Sequence, residues 1–196
     1  PPSNLHNLDG LKQWKNLARV DAYELSPFER TVVIDSDYLV YDDCIMKLFE
    51  SNQSVLAHRS WCDLNYLNVS NLPIGKSLLD MLWATVLMFD KSTEVKQMFT
   101  HWYDIIKNYQ YYAGLFGLNK RMVRNDHAFT LAMAKIQNYG PVDHAIIPWD
   151  IITANQNIEV KKISNNEIVL EDQHGEFTVN QSIHILNKES LLNAIK

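Results

Sequence analysis

The sequence has few of the residues that define several large classes of protein. Among 196 residues there are only two cysteines, Cys44 and Cys62. They lack metal-ligand spacing and are too few for a disulfide scaffold, which predicts free thiols in a reducing compartment and a cytoplasmic location. No apolar run reaches the roughly 18 residues of a membrane-spanning helix, so no transmembrane segment is expected.

Glycine-rich phosphate motifs and positive charge are also scarce. There is no Gly-x-Gly-x-x-Gly, no Gly-Lys-Ser/Thr and no Gly-x-Ser-x-Gly, so dinucleotide, P-loop and nucleophile-elbow sites have no support. A net charge of −5 argues against a protein that binds nucleic acid through a basic surface. With 46% hydrophobic and 21% charged residues, the length suits one globular domain with its own core.

The most informative stretch that is present covers residues 31–37, a β-branched run that leads into Asp35 and Asp37. Residues 32–34 favour a strand, and their continuous apolar character predicts burial on both faces. Two carboxylates at the end of a buried strand need neutralisation, and a divalent cation with a phosphorylated ligand is the usual solution. In an extended segment both carboxylates point to the same side and can bind one ion. The alternative is a solvated turn whose acids cap the following segment.

Hydrophobic periodicity predicts an alternation of strands and helices, which is typical of an α/β fold. The predicted helices cover residues 8–24, 42–50, 93–109, 125–137 and 188–196. The predicted strands cover residues 31–35, 54–58, 81–89, 145–148 and 182–186. A small antiparallel meander is expected within residues 157–180. Residues 59–80 are irregular, and a loop of this length is often functional.

Four other residues are candidates for a site around the two acids. His184 lies in an apolar strand, where it is either a core residue or a third ligand that suits Mn²⁺. Lys188 would meet a phosphate oxygen or is solvated, and Arg19 would reach a phosphate or sugar or lies on the surface. Asp126 opens a predicted helix as a helix-start acid, or it is a general base or hydroxyl-binding carboxylate.

Residues 18–20 and 25–40 resemble the core of the GT-A glycosyltransferases, most of all the glycogenin-like and bacterial lipopolysaccharide sugar transferases. These share an Ala-Arg helix, here Ala18 and Arg19, a proline turn, here Pro27, and a strand that ends in Asp-x-Asp. Residues 83–90 are similar to a strand of the family's sugar pocket. Residues 125–129 are similar to a segment whose acid opens a helix in the sugar or acceptor site.

The resemblance implies an α/β fold with a mixed, mostly parallel sheet flanked by helices. Residues 1–196 would form a single GT-A-like catalytic domain, with the β meander of residues 157–180 within it. Only 34 residues precede Asp35, so the family's nucleotide-base unit is expected to be absent from these residues or reduced. The implied reaction transfers a sugar from a nucleotide diphosphate sugar to a hydroxyl of a carbohydrate, lipid or protein acceptor.

The resemblance also implies roles for individual residues. Mn²⁺ or Mg²⁺ would be held by Asp35, Asp37 and His184, the last resembling the family's C-terminal metal histidine. Asp126 would bind the sugar or acceptor, or would act as a base if the reaction inverts the anomeric centre. The donor would be bound by residues near the ion, namely Arg19, Asp35, Ser36, Asp37, Thr85 and Lys188.

Two other interpretations of the same residues remain open. A haloacid-dehalogenase-type phosphatase also begins with an apolar strand and Asp-x-Asp, and Asp35 would then be the nucleophile. That class needs a second acidic pair after a late strand, which the sequence lacks. A sugar-binding or structural module without catalytic activity is the non-enzymatic alternative.

Overall fold

The structure, a computed structural model, describes residues 17–65, 68–69, 72–120, 122–140, 142–165 and 167–195. These residues form a mixed α/β fold with three small sheets. The helices are α1 (Ala22–Leu25), α2 (Cys44–Phe49), α3 (Thr93–Lys107), α4 (Tyr109–Phe116), α5 (Asn125–Ile136) and α6 (Lys188–Ala194). The strands are β1 (Arg30–Ile34), β2 (Tyr38–Leu39), β3 (Val55–His58), β4 (Trp61–Cys62), β5 (Asn68–Val69), β6 (Trp83–Asp90), β7 (Ile151–Ala154), β8 (Glu159–Ile163), β9 (Ile168–Asp172), β10 (Gly175–Val179) and β11 (Ile183–Ile185).

The first sheet has the order β1-β6-β3, and its central strand β6 is antiparallel to both neighbours. β6 begins at the end of the sheet where β1 and β3 finish, because residues 59–82 return the chain to that end. The prediction of a mostly parallel sheet is therefore wrong for this sheet. In the described part of the chain the parallel strand pairs are those of β7 with β11 and with β4, and a single parallel bridge joins Ala57 of β3 to Ile146.

Strand β1 is less buried than its apolar sequence predicts. Val32 and Val33 are half-buried and Ile34 is 38% exposed. The physical reason is position, because within the described residues β1 pairs with β6 alone and lies at the edge of its sheet. The buried apolar run belongs to β6, where residues 84–89 are all buried and where the predicted strand 81–89 is confirmed.

The second sheet brings the C-terminal part of the chain beside the two acids. Its order is β2-β11-β7-β4-β5, and His184 in β11 pairs with Tyr38 in β2. β2 directly follows Asp37, so the histidine lies opposite the segment that carries the carboxylates. The third sheet, β10-β9-β8, is the predicted antiparallel meander.

The helix predictions are confirmed for α2, α3, α5 and α6 to within a few residues at each end. For the helix predicted at residues 8–24, residues 1–16 lie outside the described residues. The remainder is a 3-10 turn, Leu17–Asp21, followed by the short α1. The strand predicted at 145–148 is reduced to a single parallel bridge between Ile146 and Ala57, where the Ile147 N–H donates to the Ala57 carbonyl at 2.9 Å. Its start belongs to a 3-10 turn, Asp143–Ala145, and Pro148 has no N–H for a ladder, so the strand forms later as β7.

None of the helices in the described ranges is long and apolar enough to cross a membrane. Both cysteines are free and buried, as predicted, with Cys44 at the start of α2 and Cys62 in β4. The two thiols therefore belong to the packed interior and not to a disulfide framework.

Trp102 is the largest fully buried side chain of the main core, where α3 packs against α5. Its ring centroid lies 5.5 Å from that of Phe99 and 5.0 Å from that of Phe129. We expect Trp102→Ala to lower the free energy of unfolding by about 3–5 kcal/mol, because the cavity left there cannot collapse fully. Urea unfolding measures this. Tyr111→Ala, on a ring that is 69% exposed, is the control and should change stability by less than about 0.5 kcal/mol; equal losses would contradict the packing described.

His58 makes stability depend on pH. It is 1% exposed, and its Nδ1–H donates to the Trp149 carbonyl at 2.8 Å. Burial lowers its pKa from 6.5 to about 4, although the hydrogen bond to Trp149 opposes the shift. The unfolded state therefore binds more protons between these values, and stability should fall by about 2–3 kcal/mol as the pH drops from 7 to 4.5.

Urea unfolding at pH 7 and 4.5 tests the role of His58. Between pH 7 and 4.5 the free energy of unfolding of His58→Gln should fall by about 2–3 kcal/mol less than that of the wild type, because the variant has no imidazole at this position to protonate. The control is His174→Gln, at an exposed histidine of the β9–β10 turn. Its free energy of unfolding should depend on pH as that of the wild type does. The same pH dependence in His58→Gln and wild type would contradict the assignment.

Candidate functional site

Asp35 and Asp37 lie in a tight turn between β1 and β2. The Tyr38 N–H donates to the Asp35 carbonyl at 3.0 Å, which closes a turn. The sequence predicts an extended segment here, and that prediction is wrong. Two further backbone bonds fix it, since the Asp35 N–H donates to the Thr85 carbonyl at 2.9 Å and the Ile185 N–H donates to the Asp37 carbonyl at 2.7 Å. The turn is thus attached to β6 on one side and to β11 on the other.

The turn and β11 together form an acid–histidine cluster of Asp35, Asp37 and His184. One carboxylate oxygen of each acid and one imidazole nitrogen lie within 4.8 Å of one another. Two ligand atoms on opposite sides of one ion are roughly 4.2 Å apart, twice a metal–oxygen distance of about 2.1 Å. The upper limit of 4.8 Å is slightly wider than this, so the three ligand atoms lie close to the spacing that a single divalent cation needs. The structure thus brings together the three residues that the sequence singles out as ligands.

Two cationic side chains border the acid–histidine cluster. Arg19 donates to Asp35 and to the Ala84 carbonyl, and the side chains of this ion pair are only 8% and 14% exposed. Lys188 Nζ lies 3.0 Å from Asp37 Oδ2, but the lysine side chain is 57% exposed. Arg19 is therefore fixed in the protein, whereas Lys188 approaches from solvent.

Asp37 is the most buried member of the acid–histidine cluster. It is 4% exposed, and within the described part of the chain its Oδ1 has no hydrogen-bond partner, His184 Nε2 being 3.4 Å away. Burial alone would raise the pKa of Asp37, but His184 and Lys188 lower it to about 2. A buried carboxylate that stays ionised and keeps an oxygen without a hydrogen bond is suited to bind a cation.

Asp126 joins the site through the backbone of β6. Its Oδ1 accepts the Ala84 N–H at 3.1 Å, while the Ala84 carbonyl accepts from Arg19. Its Oδ2 lies 3.4 Å from Arg124 Nη2, and the carboxylate remains 21% exposed. The backbone of Ala84 therefore links the helix-start acid to Arg19 and Asp35. The role of Ala84 has no signal in the sequence, because it depends on the backbone and not on the side chain.

The two other predicted donor-binding residues occupy different environments. Ser36 lies at the tip of the turn, where it is exposed. Thr85 is 4% exposed, and it contributes its carbonyl oxygen to the Asp35 N–H. Ser36 is thus open to a ligand, whereas Thr85 helps to position Asp35.

Comparison of the chain with protein-family models, with curated proteins and with solved structures finds no match. The resemblance to GT-A glycosyltransferases therefore has no support from a measured similarity. The chemistry of the acid–histidine cluster and its two cations carries the functional argument.

Proposed function

We propose that this chain is the catalytic part of a metal-dependent glycosyltransferase of the GT-A type. It moves a sugar from a nucleotide diphosphate sugar to a hydroxyl acceptor. The observation that carries the proposal is the buried, ionised Asp37 beside Asp35 and His184, with Arg19 and Lys188 at the border of the cluster. Three ligands and two cations around one point match the needs of a metal-bound diphosphate.

Asp35, Asp37 and His184 would hold the ion. Two carboxylates and one imidazole form a mixed oxygen and nitrogen set that Mn²⁺ accepts well, with Mg²⁺ as the other candidate. When bound, such an ion neutralises the charge on the departing diphosphate as a Lewis acid.

The two cations of the chain act on the same charge. Arg19 is held by Asp35 and by the Ala84 carbonyl, so its position is set before the donor binds. Fixed positive charge of this kind stabilises a leaving group without a reorganisation cost at the moment of reaction. Lys188 can exchange its contact with Asp37 for a phosphate oxygen, because most of its side chain lies in solvent.

Asp126 serves the sugar side of the reaction. The Ala84 N–H orients its carboxylate, and its partial exposure leaves it accessible to a hydroxyl group. It binds a hydroxyl of the donor sugar or of the acceptor, and it takes the acceptor proton if the reaction inverts the anomeric centre.

A panel of nucleotide diphosphate sugars tests the proposal. The protein is incubated with each sugar and Mn²⁺, and released nucleoside diphosphate is measured. We expect release from at least one donor, dependence on Mn²⁺ and complete loss with EDTA, because the diphosphate leaves only when its charge is neutralised.

Two other results would contradict the proposal. Phosphate transfer from phosphoesters to Asp35, detected by mass spectrometry, would indicate a haloacid-dehalogenase-type phosphatase. Binding of a nucleotide sugar without release under any condition would indicate a sugar-binding module.

A further inference from the structure

A cavity of about 380 Å³ lies between α2, β2, β4 and β7, and it is lined in part by β2 and by the segment before β11. Its lining combines aromatic rings with carboxylates, and it includes Tyr38, Asp42, Cys62, Trp149, Asp150 and Ser182. None of these residues has a role in the metal cluster. The cavity is therefore distinct from the residues to which the proposed function assigns a role.

The strand register fixes the position of the cavity relative to the cluster. Tyr38 is the cross-strand partner of His184, and partners in an antiparallel pair share one face of the sheet. Ser182 lies two residues before His184, so its side chain points to that same face roughly 7 Å away. Tyr38 and Ser182 thus connect the lining of the cavity to the strand pair that carries His184.

One wall of the cavity is a fixed polar network around Ser182. The Ser182 hydroxyl donates to Asp42 Oδ1 at 2.5 Å and accepts the N–H groups of Tyr41 and Asp42 at 3.0 Å and 3.3 Å. Burial would raise the pKa of Asp42, but hydrogen bonds from Cys44 and Ser182 lower it, so the group is a carboxylate at neutral pH. The wall presents an oriented hydrogen-bond acceptor.

The lining of the cavity also includes Trp149 and Asp150. His58 binds the Trp149 carbonyl, and its ring meets the indole at 73° with 6.3 Å between centroids. The Ser60 hydroxyl donates to Asp150 Oδ1. The aromatic ring and the second carboxylate are therefore both held in place by neighbouring residues, while Cys62 adds apolar surface.

The charge on these walls disfavours an anionic ligand. Asp42 and Asp150 both line the cavity, and the lining lysine, Lys47, is paired with Asp43 at 3.0 Å. A phosphate group would meet net repulsion, so the diphosphate of a donor does not fit there. A neutral molecule with many hydroxyl donors does fit.

We propose that this cavity binds a neutral hexopyranose ring, the acceptor sugar of the reaction. A pyranose has an apolar C–H face that packs on an aromatic ring such as Trp149, and a rim of hydroxyls that donate to carboxylates such as Asp42 and Asp150. This inference rests on the proposed function, because the acceptor role requires a donor at the neighbouring acid–histidine cluster.

Saturation-transfer difference NMR tests the inference. The probes are methyl glucosides, galactosides and mannosides of both anomers, with and without Mg²⁺ and a nucleoside diphosphate (UDP or GDP). We expect at least one probe to bind, and Trp149→Leu and Asp150→Asn to weaken that binding about tenfold or more through lost stacking and a lost charged hydrogen bond. Asp150→Asn keeps the shape of the side chain, and Asp104→Asn, at an exposed position on α3, is the matched control with unchanged binding.

Several results would overturn the inference. One is that none of the probes binds under either condition. Another is that a probe binds equally to wild type and to both variants. A third is that inorganic phosphate displaces the sugar. Calorimetric titration with Mn²⁺ separates this inference from the proposed function. Mn²⁺ binding without sugar binding rejects the cavity alone, whereas sugar binding without Mn²⁺ binding rejects the metal-dependent reaction.

Discussion

Asp37→Asn is expected to lower the affinity for Mn²⁺ by on the order of 100-fold or more. The substitution keeps the shape of the side chain but removes the buried charge that faces Asp35 and His184. Even partners of metal ligands typically contribute about 10–100-fold to affinity, so loss of a charged ligand should cost at least the upper end of that range. Isothermal titration calorimetry with Mn²⁺ measures the change.

The matched control for this prediction is Asp43→Asn. Asp43 is an exposed acid close by in the sequence, and it is paired with Lys47. Its removal should leave the Mn²⁺ affinity within about twofold of wild type, because at this exposure the charge is screened by solvent. Equal affinities in Asp37→Asn and wild type would reject Asp37 as a ligand.

If the reaction inverts the anomeric centre, Asp126 is the base, and Asp126→Asn should lower kcat by about 100- to 10,000-fold, the range typical of general acid–base groups. The amide carbonyl oxygen of the substituted side chain can still accept the Ala84 N–H, so the backbone geometry should persist. Mn²⁺ affinity should therefore stay within about twofold of wild type, because the carboxylate at this position is not a ligand of the ion. Steady-state release of nucleoside diphosphate, together with Mn²⁺ titration, measures both quantities.

The alternative role of Asp126 is that of a helix-start acid without a part in the reaction. Glu94→Gln is the control for this role, since Glu94 lies in the first turn of α3 and is exposed. Loss of a helix-start charge changes stability by about 0.3–1 kcal/mol and leaves kcat unchanged. If Asp126→Asn behaves in this way, its place in the reaction is refuted.

The local chemistry of the site follows from the sequence. A β-branched run before Asp35 and Asp37 predicts a strand that ends in two acids, and β1 with its turn has that form. An apolar strand around His184 predicts β11. These features depend on neighbouring residues, so periodicity and side-chain type are enough to find them.

The long-range arrangement could not be predicted in the same way. The antiparallel direction of β6 depends on where residues 59–82 return the chain, and no local pattern encodes that. The edge position of β1 depends on its pairing, so an apolar run alone predicts too much burial. The contact of Ser182 with Asp42 joins residues 140 positions apart, and only the folded chain brings them together.

The most direct test of the metal centre is pulsed electron paramagnetic resonance of Mn²⁺ bound to the protein. The acid–histidine cluster predicts nuclear coupling from one directly bound imidazole nitrogen, and this coupling should disappear in His184→Gln. It should persist in His174→Gln, at an exposed histidine. A spectrum of free aqueous Mn²⁺ in the presence of wild-type protein, or nitrogen coupling that survives in His184→Gln, would contradict the account.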